Sequence, residues 1–301
     1  MSKNSDLEIR RLAGALGAEI LGADLSQDID DDTFEQIFEA LMDYGVVVIR
    51  DQDLTPGQHK AFCQRIGDPL PVPFVKTLDD HPEIIAVIKE ADERTEMVFG
   101  GTWHTDFSFL AAPPLASCLY ARELPSFGGD TLFASMTKAY ATLSSGMQDM
   151  LRDMKVVHSG RRSYGPVGTF AKTQLTSIGV TASDEGDVEV LHPVVAVIPE
   201  NGKRTLFIND IYAIRFDGMT EAESAPLLNF LCEQARRPEN LCRLDWRPGS
   251  LALWDNRTTM HYAIDDYDGQ RREMHRVTIA GVPLQGITQG HYVGAFSRGI
   301  Q

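Results

Sequence analysis

The residues of this chain best suited to chemistry are histidines and carboxylates. Trp103-His104-Thr105-Asp106 sets an imidazole and a carboxylate two positions apart. On an extended chain, residues i and i+2 project to the same face, so this pair can take adjacent positions on an octahedral ion, with a third ligand from elsewhere in the fold. Two histidines and one carboxylate on one side of a metal leave the other side open. This is the arrangement of non-haem Fe(II) oxygenases, in which the open positions take co-substrate and O2. His81-Pro82-Glu83 has the same spacing and is read as a surface turn. Other catalytic signatures are absent from the sequence. It contains no GxSxG, GxGxxG or GxxxxGK[ST] motif, no HExxH, and no Cys/His zinc cluster.

The elements that must position these groups begin helical and become strand-rich. Phe34, Ile37, Phe38 and Leu41 recur at helical spacing, with Thr33 and Gln36 read as a capping box and Gly45 as the stop. Val46 to Ile49 reads as a buried strand. Thr55-Pro56-Gly57-Gln58 starts a second helix that ends near Gly67. From about Pro114 short strands dominate: Leu115 to Tyr120, Val188 to Ile198, Lys203 to Ile208, Ser250 to Trp254 and Arg276 to Ala280. Glu200-Asn201-Gly202 marks a hairpin turn. Helical patterns interrupt at Lys138 to Met154 and Thr220 to Arg236. Dispersed strands with inserted helices predict a mainly β sandwich or barrel with helical decoration. Residues 159–187 are rich in Gly, Ser, Thr and Asp, lack periodicity, and are read as an active-site lid.

The 301 residues carry a formal net charge of −15 and are 43% hydrophobic, ample for a packed core. The charge argues against nucleic acid or an anionic membrane as partner, and no apolar run is long enough to span a bilayer. A small anionic substrate is compatible, because one nearby arginine outweighs distant net charge. Met1 to Asp6 is polar and lacks a signal-peptide stretch. The four cysteines, Cys63, Cys118, Cys232 and Cys242, have no CxxC spacing and read as reduced thiols of a cytoplasmic protein.

A second segment, Trp254-Asp255-Asn256-Arg257-Thr258-Thr259-Met260-His261, is followed by Arg271-Arg272-Glu273-Met274-His275-Arg276. Joined to the His104 motif, it resembles the taurine and aryloxyalkanoate dioxygenases (TauD/TfdA-like) that depend on Fe(II) and 2-oxoglutarate. Gly22-Ala23-Asp24-Leu25, Glu123 to Thr131 and His192-Pro193-Val194-Val195 extend the resemblance over nearly the whole chain. The resemblance implies a double-stranded β-helix (jelly roll, cupin-like) and one domain over 1–301. It implies His104, Asp106 and His261 as iron ligands, and Arg272 with Thr131 as partners of the distal carboxylate of 2-oxoglutarate. It implies that Arg276 reaches the acid group of the substrate or the co-substrate region, and Arg276 is read as the substrate contact; it also implies a dimer or tetramer, for which Leu227, Leu228 and Leu231 serve an interface or the core. The implied reaction consumes O2 and 2-oxoglutarate, releases succinate and CO2, and hydroxylates a C–H bond. A heteroatom on that carbon leads to C–O or C–S cleavage. Asp106 favours hydroxylation, since related halogenases lack that carboxylate.

The substrate expectation is a small organic anion, an aryloxyalkanoate-like carboxylate. Taurine dioxygenases place a histidine on the sulfonate after the second helix, and here no histidine lies between His59 and His81. Gly100-Gly101-Thr102 offers no side-chain amide for an amine. Leu70, Val72, Phe74, Phe107 and Phe207, closed by Arg276, are read as an apolar pocket. Sulfonate or sulfate-ester oxidation is the alternative within the class, and a non-catalytic metal-binding jelly roll the alternative outside it. Asp255-Asn256-Arg257 is read as a structural polar turn, Trp103 and Trp254 as core, and His192 and His275 as structural.

Overall fold

The computed structural model describes residues 7–72, 74–93, 98–172 and 177–287. Val46-Val47-Val48-Ile49 is buried at every position and forms β3 (Val46–Ile49) near the centre of the main sheet. β2 (Ala18–Leu21) lies parallel on one side and β14 (Leu251–Asp255) antiparallel on the other. The sheet continues through β6 (Ala116–Glu123), β16 (Arg272–Ile279), β5 (His81–Lys89) and β4 (Thr77–Leu78), with β1 (Glu8–Arg11) on the outer edge of β2. Two strands from the last third of the chain thus sit among strands from its first half.

Alternation along β6 separates the two faces of this sheet. Ala116, Cys118 and Tyr120 join Leu251, Leu253, Val277 and Ile279 in a core that also holds the apolar sides of α1 (Asp31–Tyr44) and α2 (Pro56–Ile66). Leu119 and Ala121 point the other way and pack with Phe133, Leu244, Trp254 and Met274. That side meets a smaller sheet of β13 (Leu241–Leu244), β7 (Thr131–Ser135) and β15 (Thr259–Ala263). A third sheet orders β12 (Ala213–Phe216), β8 (Lys155–Ser159) and β9 (Glu189–Pro193), and β10 (Val195–Val197) pairs with β11 (Arg204–Leu206). The helices α3 (Met136–Ala141), α4 (Ser145–Leu151) and α6 (Glu221–Ala235) share a further core with Ala134, Val195, Leu206 and Met260. The short α5 (Thr169–Lys172) completes the helices. The result is a mainly β, jelly-roll fold with helical decoration.

Local signals explain most boundaries. Thr55 and Gln58 form a reciprocal capping box with Pro56 in the first turn. Gly45 ends α1 at φ 71°, a left-handed cap that glycine adopts without strain. The start of α1 differs from expectation: Asp30, not Thr33, is the N-cap, its carboxylate accepting from Thr33 N at 2.8 Å. Gln36 turns away and accepts from Leu7 N instead. His81-Pro82-Glu83 begins β5 and is not a turn; Glu83 pairs with Lys60 at 2.6 Å. The strand read from Arg276 begins earlier, at Arg272, because β5 and β6 flank it on both sides. Leu228 and Leu231 lie in the interior, with Leu227 packed beside them, so this side of α6 serves the core. No described helix is long and apolar enough to cross a membrane.

Candidate active site

An isolated antiparallel bridge brings the two motifs together. His261 N donates to His104 O at 2.8 Å and His104 N to His261 O at 3.1 Å, so the rings meet with centroids 4.1 Å apart. His104 Nδ1–H donates to the Thr102 carbonyl at 2.6 Å, which leaves Nε2 as the free donor atom. His104 Nε2 lies 3.6 Å and His261 Nε2 3.9 Å from Asp106 Oδ1, and all three side chains are buried. His104 sits in a single bridge rather than a regular strand, and Asp106 opens a turn in which Phe107 takes φ 44°. A buried aromatic residue in the left-handed region is held there by its surroundings.

Asp106 is fixed from both sides. Ser117 Oγ donates to Oδ2 at 2.7 Å, Asn256 Nδ2 donates to Ser117 Oγ at 2.9 Å, and Trp254 Nε1 donates to Asn256 Oδ1 at 3.0 Å. Arg276 Nη1 donates to Oδ1 at 2.9 Å. Burial pushes the Asp106 carboxyl up, but Arg276, His261 and His104 together hold it well below the usual carboxylate range. Burial, reinforced by His104, pushes His261 down to about 3. An ionised carboxylate beside neutral imidazole is the protonation state that metal ligands require. The donor atoms lie within 4.8 Å of one another, and this nitrogen and oxygen set fits Fe(II).

Arg272 opens β16 as a buried guanidinium with no carboxylate partner among the described residues, and its Nε has no hydrogen-bond acceptor. Burial lowers its proton affinity, with only Tyr267 and Asp130 opposing. Its guanidinium lies 5.9 Å from the Trp246 ring, and Trp246 Nε1 donates to Thr131 Oγ1 at 3.0 Å. A Cβ on Gly129 would stand 3.3 Å from Arg272 Cδ and Nε, so a glycine there leaves the arginine room. An unpaired buried cation with a planar fork calls for an anion such as a carboxylate, which fits the far end of 2-oxoglutarate.

Beside the three donors opens a cavity of about 100 Å³. Its walls include His104, Asp106, Phe107, Phe99, Tyr164, Phe170 and Tyr212. The Arg276 guanidinium lies over the Phe99 and Phe107 rings at 5.7 and 5.3 Å, with Nε and Nη2 lacking partners among the described residues.

Residues 8–278 match the family model for taurine catabolism dioxygenase TauD, TfdA family. The chain belongs to this family. It is similar to an alkylsulfatase of Acinetobacter baylyi, 35% identical over 93% of this chain and 87% of that protein. An α-ketoglutarate-dependent sulfate ester dioxygenase of Pseudomonas putida is 34% identical over 93% and 91%. An (S)-phenoxypropionate/α-ketoglutarate dioxygenase of Sphingobium herbicidovorans is 30% identical over 94% and 98%. A solved structure described as a putative α-ketoglutarate-dependent taurine dioxygenase from Burkholderia xenovorans superposes with a TM-score of 0.79 at 30% identity, covering 93% of this chain and 95% of that one. This TauD/TfdA chain is thus a 2-oxoglutarate-dependent dioxygenase that uses Fe(II), 2-oxoglutarate and O2.

Within this TauD/TfdA frame the sequence-read pocket residues divide. Phe107 lines the cavity. Val72 is buried behind that wall with Phe74, Phe109 and Tyr164. Leu70 is half-buried, its N–H on Thr278 O at 2.8 Å, and does not line the cavity. Phe207 lies apart, stacked on His158 and edge-on to His192. Tyr164, Phe170 and Tyr212 were not legible as site residues, although the first two lie in 159–187. Of that stretch, 173–176 lie outside the described residues. Asn256, read as part of a polar turn, supports Asp106 through Ser117, whereas Arg257 pairs with Asp255 and Glu200. His275 pairs with Glu273 at 2.9 Å.

Proposed function

We propose that His104, Asp106 and His261 hold Fe(II), that Arg272 and Thr131 hold the distal carboxylate of 2-oxoglutarate, and that the enzyme oxidises a small carboxylate of the aryloxyalkanoate type. Bound Fe(II), with 2-oxoglutarate and O2, supplies the oxidising power for an unactivated C–H bond, and succinate and CO2 leave. The protein's part is geometry. Ser117 and Asn256 hold Asp106 in place, and the Thr102 carbonyl holds His104 with Nε2 facing Asp106. The observation that carries the substrate reading is Arg276: buried, with Nε and Nη2 unpartnered, beside an aromatic cavity. It receives the acid group, while Phe107, Tyr164 and Phe170 receive the ring. Hydroxylation at the carbon bearing the ether oxygen gives a hemiacetal, which collapses with C–O cleavage. Residues around Ser163, Tyr164 and Phe170 cover this cavity and act as its lid. Four buried free thiols support a cytoplasmic setting.

A sulfate ester is the second reading, favoured by the names of the two relatives at 35% and 34% identity. Arg276 suits a sulfate as well as a carboxylate. Succinate release measured across aryloxyalkanoates, alkyl sulfates and alkylsulfonates decides between them. Greatest turnover with aryloxyalkanoates is expected; greater turnover with alkyl sulfates selects the second reading, and taurine outrunning every carboxylate overturns the first.

A further inference from the structure

A second cluster of metal-binding side chains lies on the opposite face of the main sheet. His59 and Cys63 are four residues apart on α2, so they share one side of that helix. Cys118 meets them from β6. One donor atom from each lies within 4.8 Å of the other two. The side chains are 1%, 0% and 0% exposed. Both ring nitrogens of His59 are buried and, among the described residues, have no hydrogen-bond partner of good distance and angle. Tyr120, which packs against the His59 ring at 6.0 Å, commits its hydroxyl to Leu54 N and Gln52 O. A buried imidazole with neither nitrogen satisfied is unusual, because such groups normally find partners.

We propose that His59, Cys63 and Cys118 form a second metal site, with three protein ligands, for a thiophilic divalent cation of the Zn²⁺ class. Metal–sulfur distances of ~2.3 Å and metal–nitrogen distances of ~2.0–2.1 Å put such donors roughly 3.5–4 Å apart, within the separation present. Sulfur and imidazole donors select this class over Mg²⁺ or Ca²⁺. Charge points the same way: two thiolates and a neutral imidazole around a divalent ion sum to zero, the state that an apolar interior tolerates. On metal binding each cysteine gives up its proton to solvent and its sulfur takes a coordination bond.

The position gives the site a task. Cys118 and Ser117 are consecutive on β6 and point to opposite faces, and Ser117 Oγ holds Asp106. A cation at Cys118 ties α2 to the strand that orients the catalytic carboxylate.

Cobalt separates this site from the catalytic one, because only thiolate ligands give a near-ultraviolet sulfur-to-cobalt charge-transfer band. Reduced, metal-free full-length protein is titrated with Co²⁺ under anaerobic conditions. Because the His104–Asp106–His261 site also takes Co²⁺, the band is expected to saturate by about two equivalents per chain in the wild type and by about one in His104→Ala, and to vanish in Cys118→Ala. His59→Gln should weaken Co²⁺ binding at the band by at least about tenfold. X-ray absorption at the zinc edge of the wild-type protein loaded with Zn²⁺ should show sulfur neighbours, and this holds even if a variant fails to fold. Absence of the band from folded wild type, its survival in Cys118→Ala, a zinc shell without sulfur, or a Cys63–Cys118 disulfide in freshly isolated protein would each overturn the proposal.

Discussion

Arg272 and Asp106 are both buried charges, and they illustrate opposite solutions to the same cost. Asp106 is compensated within the protein, by Arg276 on one oxygen and Ser117 on the other. Arg272 has no such partner among the described residues, and the proposed function gives it the far carboxylate of the co-substrate. Arg272→Ala should therefore raise the KM for 2-oxoglutarate by about two orders of magnitude or more, with little change in Fe(II) affinity; steady-state kinetics with 2-oxoglutarate varied checks this, and an unaltered KM would assign the role elsewhere. Asn256 acts through Ser117. Asn256→Ala should weaken Fe(II) or Mn(II) binding about 10–100-fold, the usual effect of removing a group that orients a ligand, as measured by metal titration. The Trp-His-Thr-Asp spacing offered His104 and Asp106 as candidate ligands, and the structure brings both beside His261 although neither lies in a regular strand. Asn256 was not legible, since its value depends on a hydroxyl from a strand far away in sequence.

At the scale of elements, the signals that proved readable were those that act within a turn or two. Thr55, Pro56 and Gln58 fix the start of α2, and Gly45 fixes the end of α1. Thr33 was a plausible cap displaced by Asp30, because both fit the local pattern and only the path of the entering chain decides. β5 escaped notice because His81, Pro82 and Glu83 look like a turn and become strand only through pairing with β16. The Gly128-Gly129 loop belongs to this scale too. It leads into Thr131, Gly129 N donates to Asp266 Oδ1 at 2.7 Å, and a Cβ at Gly128 would stand 2.3 Å from that same oxygen at φ 74°. Gly128→Ala should lower stability by more than about 1 kcal/mol and also raise the KM for 2-oxoglutarate. A denaturant midpoint together with kinetics checks both, and a lower midpoint with unchanged KM would separate this loop from the co-substrate site.

At the scale of the molecule, the site exists only because distant parts of the chain share sheets. His104 and Asp106 come from one third and His261, Arg272 and Arg276 from another, and β14 and β16 are placed among β3, β6 and β5. The resemblance of the whole chain to its family carried the fold and the proposed ligand set; composition gave only an acidic chain with enough apolar residues for a core. The cavity wall was the least legible part, because Tyr212 reaches it from a turn and Phe170 from the one-turn helix α5, whose positions no local pattern specifies. The account stands on one assembly, His104, Asp106 and His261 holding Fe(II) in a site that also binds 2-oxoglutarate. Anaerobic addition of Fe(II) and 2-oxoglutarate to the protein measures that assembly directly. A visible metal-to-co-substrate charge-transfer band is expected in the wild-type protein and should be lost in His104→Ala; no band in wild type, or an unchanged band in the variant, would contradict it.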